Sequence, residues 1–276
     1  MSRLHRYVAF SSDPAGGNPA GVWIGDTLPP EVEMQRIAAE VGYSETAFVA
    51  PSDGLDRAVR YFSPKVEVTF CGHATIATGA ALGAASGAGT YRLATAAGLV
   101  PVTVRSAGAL WEASFTTVDP MCKHPPSRLI FEALSALQWK PDDLDASIPP
   151  ALAYAGAWHL VLAARTADRL RTLDYDIEHL VTLMRQEGFV TAQLVWREHE
   201  GLFHSRNPFP VGGVVEDPAT GAAAAALGGY LRDTGLVPAP FELTIRQGDA
   251  MGRPSRLGVR VPAKGGVVVT GTSVLV

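Results

Sequence analysis

Residues 74–83 read Ala-Thr-Ile-Ala-Thr-Gly-Ala-Ala-Leu-Gly, and residues 219–228 read Ala-Thr-Gly-Ala-Ala-Ala-Ala-Ala-Leu-Gly; seven of the ten positions agree at an offset of 145. Alanine bias inflates such a count, but the flanks repeat as well. Arg60 and Pro64 recur as Arg206 and Pro210, one residue away from the same offset. Self-similarity of this kind marks a duplicated architecture. Each half runs from an Arg-x-x-x-Pro strand through a tight turn into a helix of small residues. The helix opening is Gly72-His73-Ala74-Thr75 in one half and Asp217-Pro218-Ala219-Thr220-Gly221 in the other. A helix that is apolar all round is a buried one, and small side chains let other elements approach closely. Two similar domains follow, each built around a central helix.

Each helix N-terminus offers unsatisfied N–H groups and the positive end of a dipole. If both openings face one interdomain cleft, they form a site for a carboxylate or phosphate without any lysine. The chain has 276 residues, enough for two domains at roughly 150 residues each. Hydrophobic residues make up 47% and charged residues 18%, a globular composition that excludes wholesale disorder. The net charge is −4 and no Lys/Arg cluster occurs, so no nucleic-acid partner is expected. The apolar runs Ala151–Ala164 and Ala222–Leu231 fall short of the roughly 18 residues of a membrane span. Asp13, Pro14, Gly16 and Gly17 interrupt the first twenty residues, so a secretory signal is not expected. A cytoplasmic protein with Cys71 and Cys122 reduced is the default.

Local signals place the elements. Strands are expected at Tyr7–Phe10, Gly21–Ile24, Thr46–Ala50 and Val59–Phe62. A Gly/Pro/Asn-rich loop fills residues 13–19. Pro29 and Pro30 suit a first helical turn, Met34, Ile37, Ala38 and Val41 recur at helical spacing, and Gly42 fits the C-terminal cap. A second helix is expected near Ile177–Gly188, and strands at Arg256–Val261 and Val267–Val276. The turn-rich residues 119–127 mark a boundary. The domains are expected to span 1–118 and 119–266, with the terminal strand 267–276 returning to the first.

Five further stretches resemble the phenazine-biosynthesis PhzF-like family, which shares its fold with diaminopimelate epimerase. They are Gly17-Asn18-Pro19-Ala20-Gly21-Val22 and Ser44-Glu45-Thr46-Ala47-Phe48-Val49. The next runs from Arg60-x-Phe62-Ser63-Pro64 through Glu67 to Cys71-Gly72-His73-Ala74-Thr75. The last two are Glu216-Asp217-Pro218-Ala219-Thr220-Gly221 and Gln247-Gly248-x-x-Met251-Gly252-Arg253-Pro254. They occur in order and cover nearly the whole chain. The resemblance implies an α+β fold of the diaminopimelate epimerase type: two alike domains, each a β-barrel-like mixed sheet wrapped around its central helix. It implies a homodimer and a cofactor-independent isomerase. The best-known member of the family moves a proton across a cyclohexadiene carboxylic acid, a dihydro-hydroxyanthranilate.

The resemblance also assigns residues. Glu45 matches the catalytic glutamate, and a carboxyl among apolar neighbours such as Tyr43, Ala47, Phe48 and Val49 suits both taking and returning a proton. His73, at the start of the first central helix, is expected at the substrate, where a helix N-terminus favours a neutral imidazole. Asp217 is the matching active-site carboxylate of the second half; read locally, Asp-Pro before a helix is also an N-cap signal. Gly72, His73, Gly221 and Ala222 offer backbone N–H groups to a substrate carboxylate, with Asn18 in support. Two departures from the family pattern stand out: Ala222 replaces a frequent serine, and Pro208 stands where an aromatic follows the arginine by two residues.

Cys71 lies where related epimerases carry the first of two cysteines. No second cysteine is near 217–221, and the bland reading of Cys71 is a small buried residue. His199 and His204, with Glu198 and Glu200, fit no standard ligand pair and read as a solvated loop. No metal is expected. Two rivals to the isomerase stay open: an epimerase or racemase of an amino acid or hydroxyproline-like compound using Cys71, and a non-enzymatic binding module.

Overall fold

The computed structural model describes residues 2–276. The chain forms two compact units, one holding the residues up to Thr116 together with Thr270–Val276, the other Thr117–Val269.

In the first unit β1 (Arg3–Ala9), β2 (Asn18–Ile24), α1 (Glu31–Val41), β3 (Glu45–Pro51), β4 (Asp56–Phe62) and the short β5 (Glu67–Val68) lead into α2 (Gly72–Ser86). β6 (Gly89–Thr95), β7 (Gly98–Ala107) and β8 (Leu110–Thr116) follow. The second unit contains β9 (Met121–Lys123), α3 (Ser127–Ala136), β10 (Ala151–Tyr154), β11 (Trp158–Ala163), α4 (Ala167–Arg171) and α5 (Ile177–Glu187). It continues with β12 (Thr191–His199), β13 (Leu202–Arg206), α6 (Gly221–Asp233), β14 (Phe241–Gln247) and β15 (Ser255–Val261). From Thr270 on, β16 (Val268–Leu275) belongs to the first unit.

The first unit is a closed barrel in the order β1-β2-β3-β4-β6-β7-β8-β16, sealed by β1 against β16. The second follows β10-β11-β12-β13-β14-β15, with β9 added beside β10. The duplication is visible in strand direction. The pairs β1/β2, β2/β3, β3/β4, β4/β6 and β6/β7 alternate antiparallel and parallel. So do β10/β11, β11/β12, β12/β13, β13/β14 and β14/β15. The small-residue helices sit at equivalent places, α2 in the parallel crossover from β4 to β6 and α6 in that from β13 to β14. The residues expected to build two alike domains do so.

Each central helix is small because its neighbours leave no room. A Cβ on Gly79 would lie 2.5 Å from that of Ala113, and one on Gly83 2.5 Å from the Trp111 ring. In α6, a Cβ on Gly229 would meet Pro120 at 2.2 Å. α2 packs on β1, β2, β3, β7 and β8; α6 packs on β9, β10, β11 and β15, so strands from both ends of the second sheet close on it. The other helices cover outer faces. α1 ends at Gly42 in the left-handed conformation and buries Met34 and Ala38 against Trp23, Phe48 and Phe62. α3 and α5 cover Leu152, Leu160, Leu162 and Leu194. Burial of each such side chain contributes about 1.5–3 kcal/mol.

Several expectations shift. The loop at 13–19 is shorter, since β2 already begins at Asn18. The turn-rich 119–127 contains β9, which pairs Cys122 with Ala153, and Pro125-Pro126 leads straight into α3 rather than prolonging a linker. His199 and His204 lie on strands, not in a solvated loop: His204 pairs with Trp196 across β12/β13 and donates from Nε2 to Glu198 at 2.5 Å. No helix among the described residues is long and apolar enough to cross a membrane.

Candidate active site

In the first unit, strand alternation decides where Glu45 points. Successive strand side chains face opposite ways, and Phe48 turns outward to Trp23 and Phe62 under α1. Glu45, three residues earlier, therefore faces inward with Ala47 and Val49, at the barrel end where α2 begins. This corrects the expected surroundings of Glu45: Phe48 occupies the outer layer and does not line it.

Cys71 is the N-cap of α2, and the first intrahelical bond runs from Thr75 N–H to Cys71 O at 3.0 Å. The N–H groups of Gly72, His73 and Ala74 thus precede the helical ladder. The Cys71 carbonyl also accepts from the Thr75 hydroxyl at 2.7 Å, and that hydroxyl meets Tyr61 Oη at 2.7 Å. Burial pushes the Tyr61 phenol well above its usual range, so it stays a neutral anchor.

Five side chains converge there. His73 Nε2 is 3.3 Å from Glu45 Oε2. The Cys71 thiol donates to the same oxygen at 3.5 Å and lies 3.3 Å from His73 Nδ1. The Asn18 amide donates to His73 Nδ1 at 3.2 Å, which leaves the Nε2 proton for Glu45. Ser44 Oγ lies 3.3 Å from His73 Nε2. Asn18, Cys71 and His73 are buried, while Glu45 keeps partial access to solvent. The barrel register makes this possible: β2 and β3 run parallel with Ala20 opposite Glu45, and Asn18 opens β2.

In the second unit, Asp217, Gly221 and Ala222 gather on their own turn. The N-cap of α6 is Thr220, not Asp217. The local reading of Asp217 as the cap is therefore corrected: Pro218 and Ala219 intervene, and the carboxylate instead accepts from the Thr220 hydroxyl at 2.6 Å. Gln247 braces the turn, donating to Asp217 O at 2.7 Å and Thr220 Oγ1 at 3.0 Å and accepting from Thr220 N–H at 3.3 Å. Gly248 has φ +79°, and a Cβ there would fall 2.3 Å from Arg253 O and 2.8 Å from Pro218 O. No side chain fits between these carbonyls. The Gln247–Pro254 stretch is thus the brace behind Asp217.

A buried polar chain backs the same turn. His159 Nδ1 bonds the Thr191 hydroxyl at 2.7 Å, and that hydroxyl donates to Asn207 Oδ1 at 3.3 Å. Asn207 O in turn accepts the Asp217 N–H at 3.0 Å. Full burial pushes His159 down to about 3, so its ring is neutral at ordinary pH. Glu216, next to Asp217, is buried in a two-pronged pair with Arg206 at 2.5 and 3.0 Å. Arg60 makes the same kind of pair with Glu67 at 2.7 and 2.6 Å. Pro208, the departure from the family pattern, bridges Glu216 across the loop.

Sequence reasoning did not single out Ser44, Gln247 or His159. The Ser44-Glu45 and Gln247-Gly248 motifs were the available signals for the first two; His159 had none.

A barrel closed around a small-residue helix thus carries a carboxylate, an imidazole and a thiol at that helix's first turn. The model of the phenazine biosynthesis-like proteins (PhzC-PhzF) matches residues 7–276. The chain is 31% identical over 281 residues to the uncharacterized isomerase YfhB of Bacillus subtilis (strain 168), covering 98% of this chain and 94% of that one. It is 34% identical over 272 residues to the trans-2,3-dihydro-3-hydroxyanthranilate isomerase of Pseudomonas aeruginosa, covering 95% and 92%. The crystal structure of the Bacillus anthracis PhzF-family phenazine biosynthesis protein superposes with a TM-score of 0.86 at 27% identity, covering 100% and 97%. The chain belongs to the PhzF-like family of phenazine biosynthesis-like proteins and is an isomerase of that type.

Proposed function

We infer that this isomerase moves a proton on a small carboxylate-bearing metabolite of cyclohexadiene type, with Glu45 as the shuttle. One observation carries the reading: Glu45 Oε2 receives both the His73 Nε2 contact at 3.3 Å and the Cys71 thiol at 3.5 Å beside the open N–H groups of α2. Glu45 as carboxylate accepts the proton released from a ring carbon, and Glu45 as acid returns it to another carbon of the same delocalised system. No group outside the substrate gains or loses electrons, so the step needs no cofactor. His73 donates to the carboxylate from Nε2 and steadies it between the two transfers. Gly72 and His73 N–H groups are assigned the substrate carboxylate, Asn18 fixes the imidazole, and Asp217, with Gly221 and Ala222, is assigned a supporting role.

The test is proton exchange with deuterated solvent, offering trans-2,3-dihydro-3-hydroxyanthranilate, the substrate in the name of the Pseudomonas aeruginosa relative. Glu45→Gln is expected to slow isomerisation by about 10²- to 10⁴-fold with an unchanged melting temperature. Wild-type rates in that variant would refute the shuttle. The position of the Cys71 thiol keeps one rival in play, an epimerase in which sulfur takes the proton. Cys71→Ser separates them: the shuttle reading expects a far smaller loss than at Glu45, the epimerase reading the reverse. We further infer a cytoplasmic homodimer from the family resemblance, checked by sedimentation and fractionation.

A further inference from the structure

We propose that Glu45, Cys71 and His73 form a three-ligand site for a thiophilic divalent cation such as Zn²⁺, and that this cation inhibits the isomerase by occupying the proton shuttle. Inhibition rests on the functional reading above; metal binding does not.

The argument is geometric. One donor atom from each residue lies within 4.8 Å of the other two. Tetrahedral zinc takes thiolate sulfur at about 2.3 Å and imidazole nitrogen or carboxylate oxygen at about 2.0–2.2 Å. Those bond lengths place a nitrogen and an oxygen ligand about 3.3 Å apart, and sulfur about 3.6 Å from either. In the protein, His73 Nε2 and Glu45 Oε2 are 3.3 Å apart. Cys71 Sγ is 3.5 Å from Glu45 Oε2 and 3.8 Å from His73 Nε2. The three separations match a tetrahedral face without moving the backbone.

The donor types agree. Sulfur, imidazole nitrogen and one carboxylate oxygen suit zinc or cadmium, and exclude calcium and magnesium, which take oxygen ligands. The sites on the protein are fixed by structure: Cys71 and His73 sit on one helix start, and Glu45 on the adjoining strand. Asn18 supplies the outer support that metal-bound histidines need, since its amide oxygen, after a flip, accepts a proton from Nδ1. The fourth position is left to water or a substrate carboxylate.

Protons balance simply. The thiol loses its proton to solvent and becomes thiolate. The imidazole stays neutral, its remaining proton moving from Nε2 to Nδ1. With Oε2 on the metal, the Glu45 carboxylate is a much weaker base and the cation occupies the space where it meets substrate, so the shuttle stops. No oxidation state changes.

Cadmium alone is the probe, because its bond to thiolate gives an ultraviolet charge-transfer band that needs no substrate. Titration of the full-length protein is expected to give one equivalent of that band, retained in Cys122→Ser. Cys71→Ser is expected to lose the band and to weaken zinc binding at least about 100-fold by calorimetry, since even outer-shell losses cost about 10- to 100-fold. Asn18→Ala is expected to weaken it about 10-fold. Thermal melts confirm that each variant is folded. No band in wild type, or a band that persists in Cys71→Ser, would overturn the site. A band of the expected behaviour with proton exchange undiminished by zinc would leave the metal site standing and sink the shuttle role of Glu45.

Discussion

At the start of α2, an imidazole and a thiol from the helix converge on a carboxylate that arrives from a strand. At the start of α6, the carboxylate of Asp217 is bonded by the hydroxyl of Thr220 three residues along the same turn. The two openings descend from one repeated pattern and diverge in how their carboxylates are held. Glu45 touches groups that can exchange protons with it, and its place depends on the register of β2 against β3. Asp217 touches a neutral hydroxyl, and its backbone is clamped by Gln247 and Asn207. The first arrangement suits transfer; the second suits holding a fixed charge.

The comparison is broken most directly by exchanging the roles. Asp217→Asn is expected to cost at least about tenfold less in rate than Glu45→Gln under the same proton-exchange assay. Equal losses would show that the two carboxylates share the transfer. Next in size are the tight contacts beneath each helix. Gly79→Leu is expected to destabilise the protein by about 1–3 kcal/mol, because the added carbons collide with Ala113 and Val102. Thermal unfolding reads this, and a melting temperature within a degree of wild type would refute the close packing.

Comparable in size is the brace behind Asp217. Gly248→Ala is expected to lose about 1–3 kcal/mol from its positive φ and the nearby carbonyls, and to reduce the rate further by displacing Pro218. Activity intact at a lowered melting temperature would separate the brace from the site. An effect read by pH rather than at neutrality concerns His159. Folding holds its ring down to about 3 from an ordinary 6.5. Below pH 6.5 the unfolded chain gains a proton that the folded one refuses until about pH 3. Stability from this group is therefore complete above pH 6.5 and declines as the pH falls toward 3. His159→Gln is expected to show a smaller drop in melting temperature between pH 7 and pH 4 than wild type.

Sequence reading reached the architecture because the architecture is repeated. α1 and α5 carry their own stops at Gly42 and Gly188, and both helices end there. α3 escaped notice because its start, Pro125-Pro126, also reads as a turn, and tertiary burial of Leu129, Ala133 and Leu134 decides the matter. Within the candidate site, motifs brought Glu45, His73, Asn18 and Asp217 forward one at a time. Their mutual distances were not legible. The Cys71–Glu45 contact exists only because a parallel strand pair turns Glu45 inward at the level where α2 begins, and no local pattern in residues 44–49 encodes that. The polar chain from His159 to Asn207 was hidden for the same reason: its members lie on β11, at the start of β12 and just after β13.

The seam between β1 and β16 has a consequence for how the molecule is made. Tyr7, Val8 and Ala9 pair with Leu275, Val274 and Ser273, and Gly271 leaves just the room that the Phe10 ring fills. Strands β9 to β15 of the second unit leave the ribosome before the residues that seal the first. Until then β1 and β8 are open edges, the kind that pair with stray chains. A chain cut after residue 269 therefore holds the residues of the second unit and lacks those that pair with β1 to close the barrel around α2.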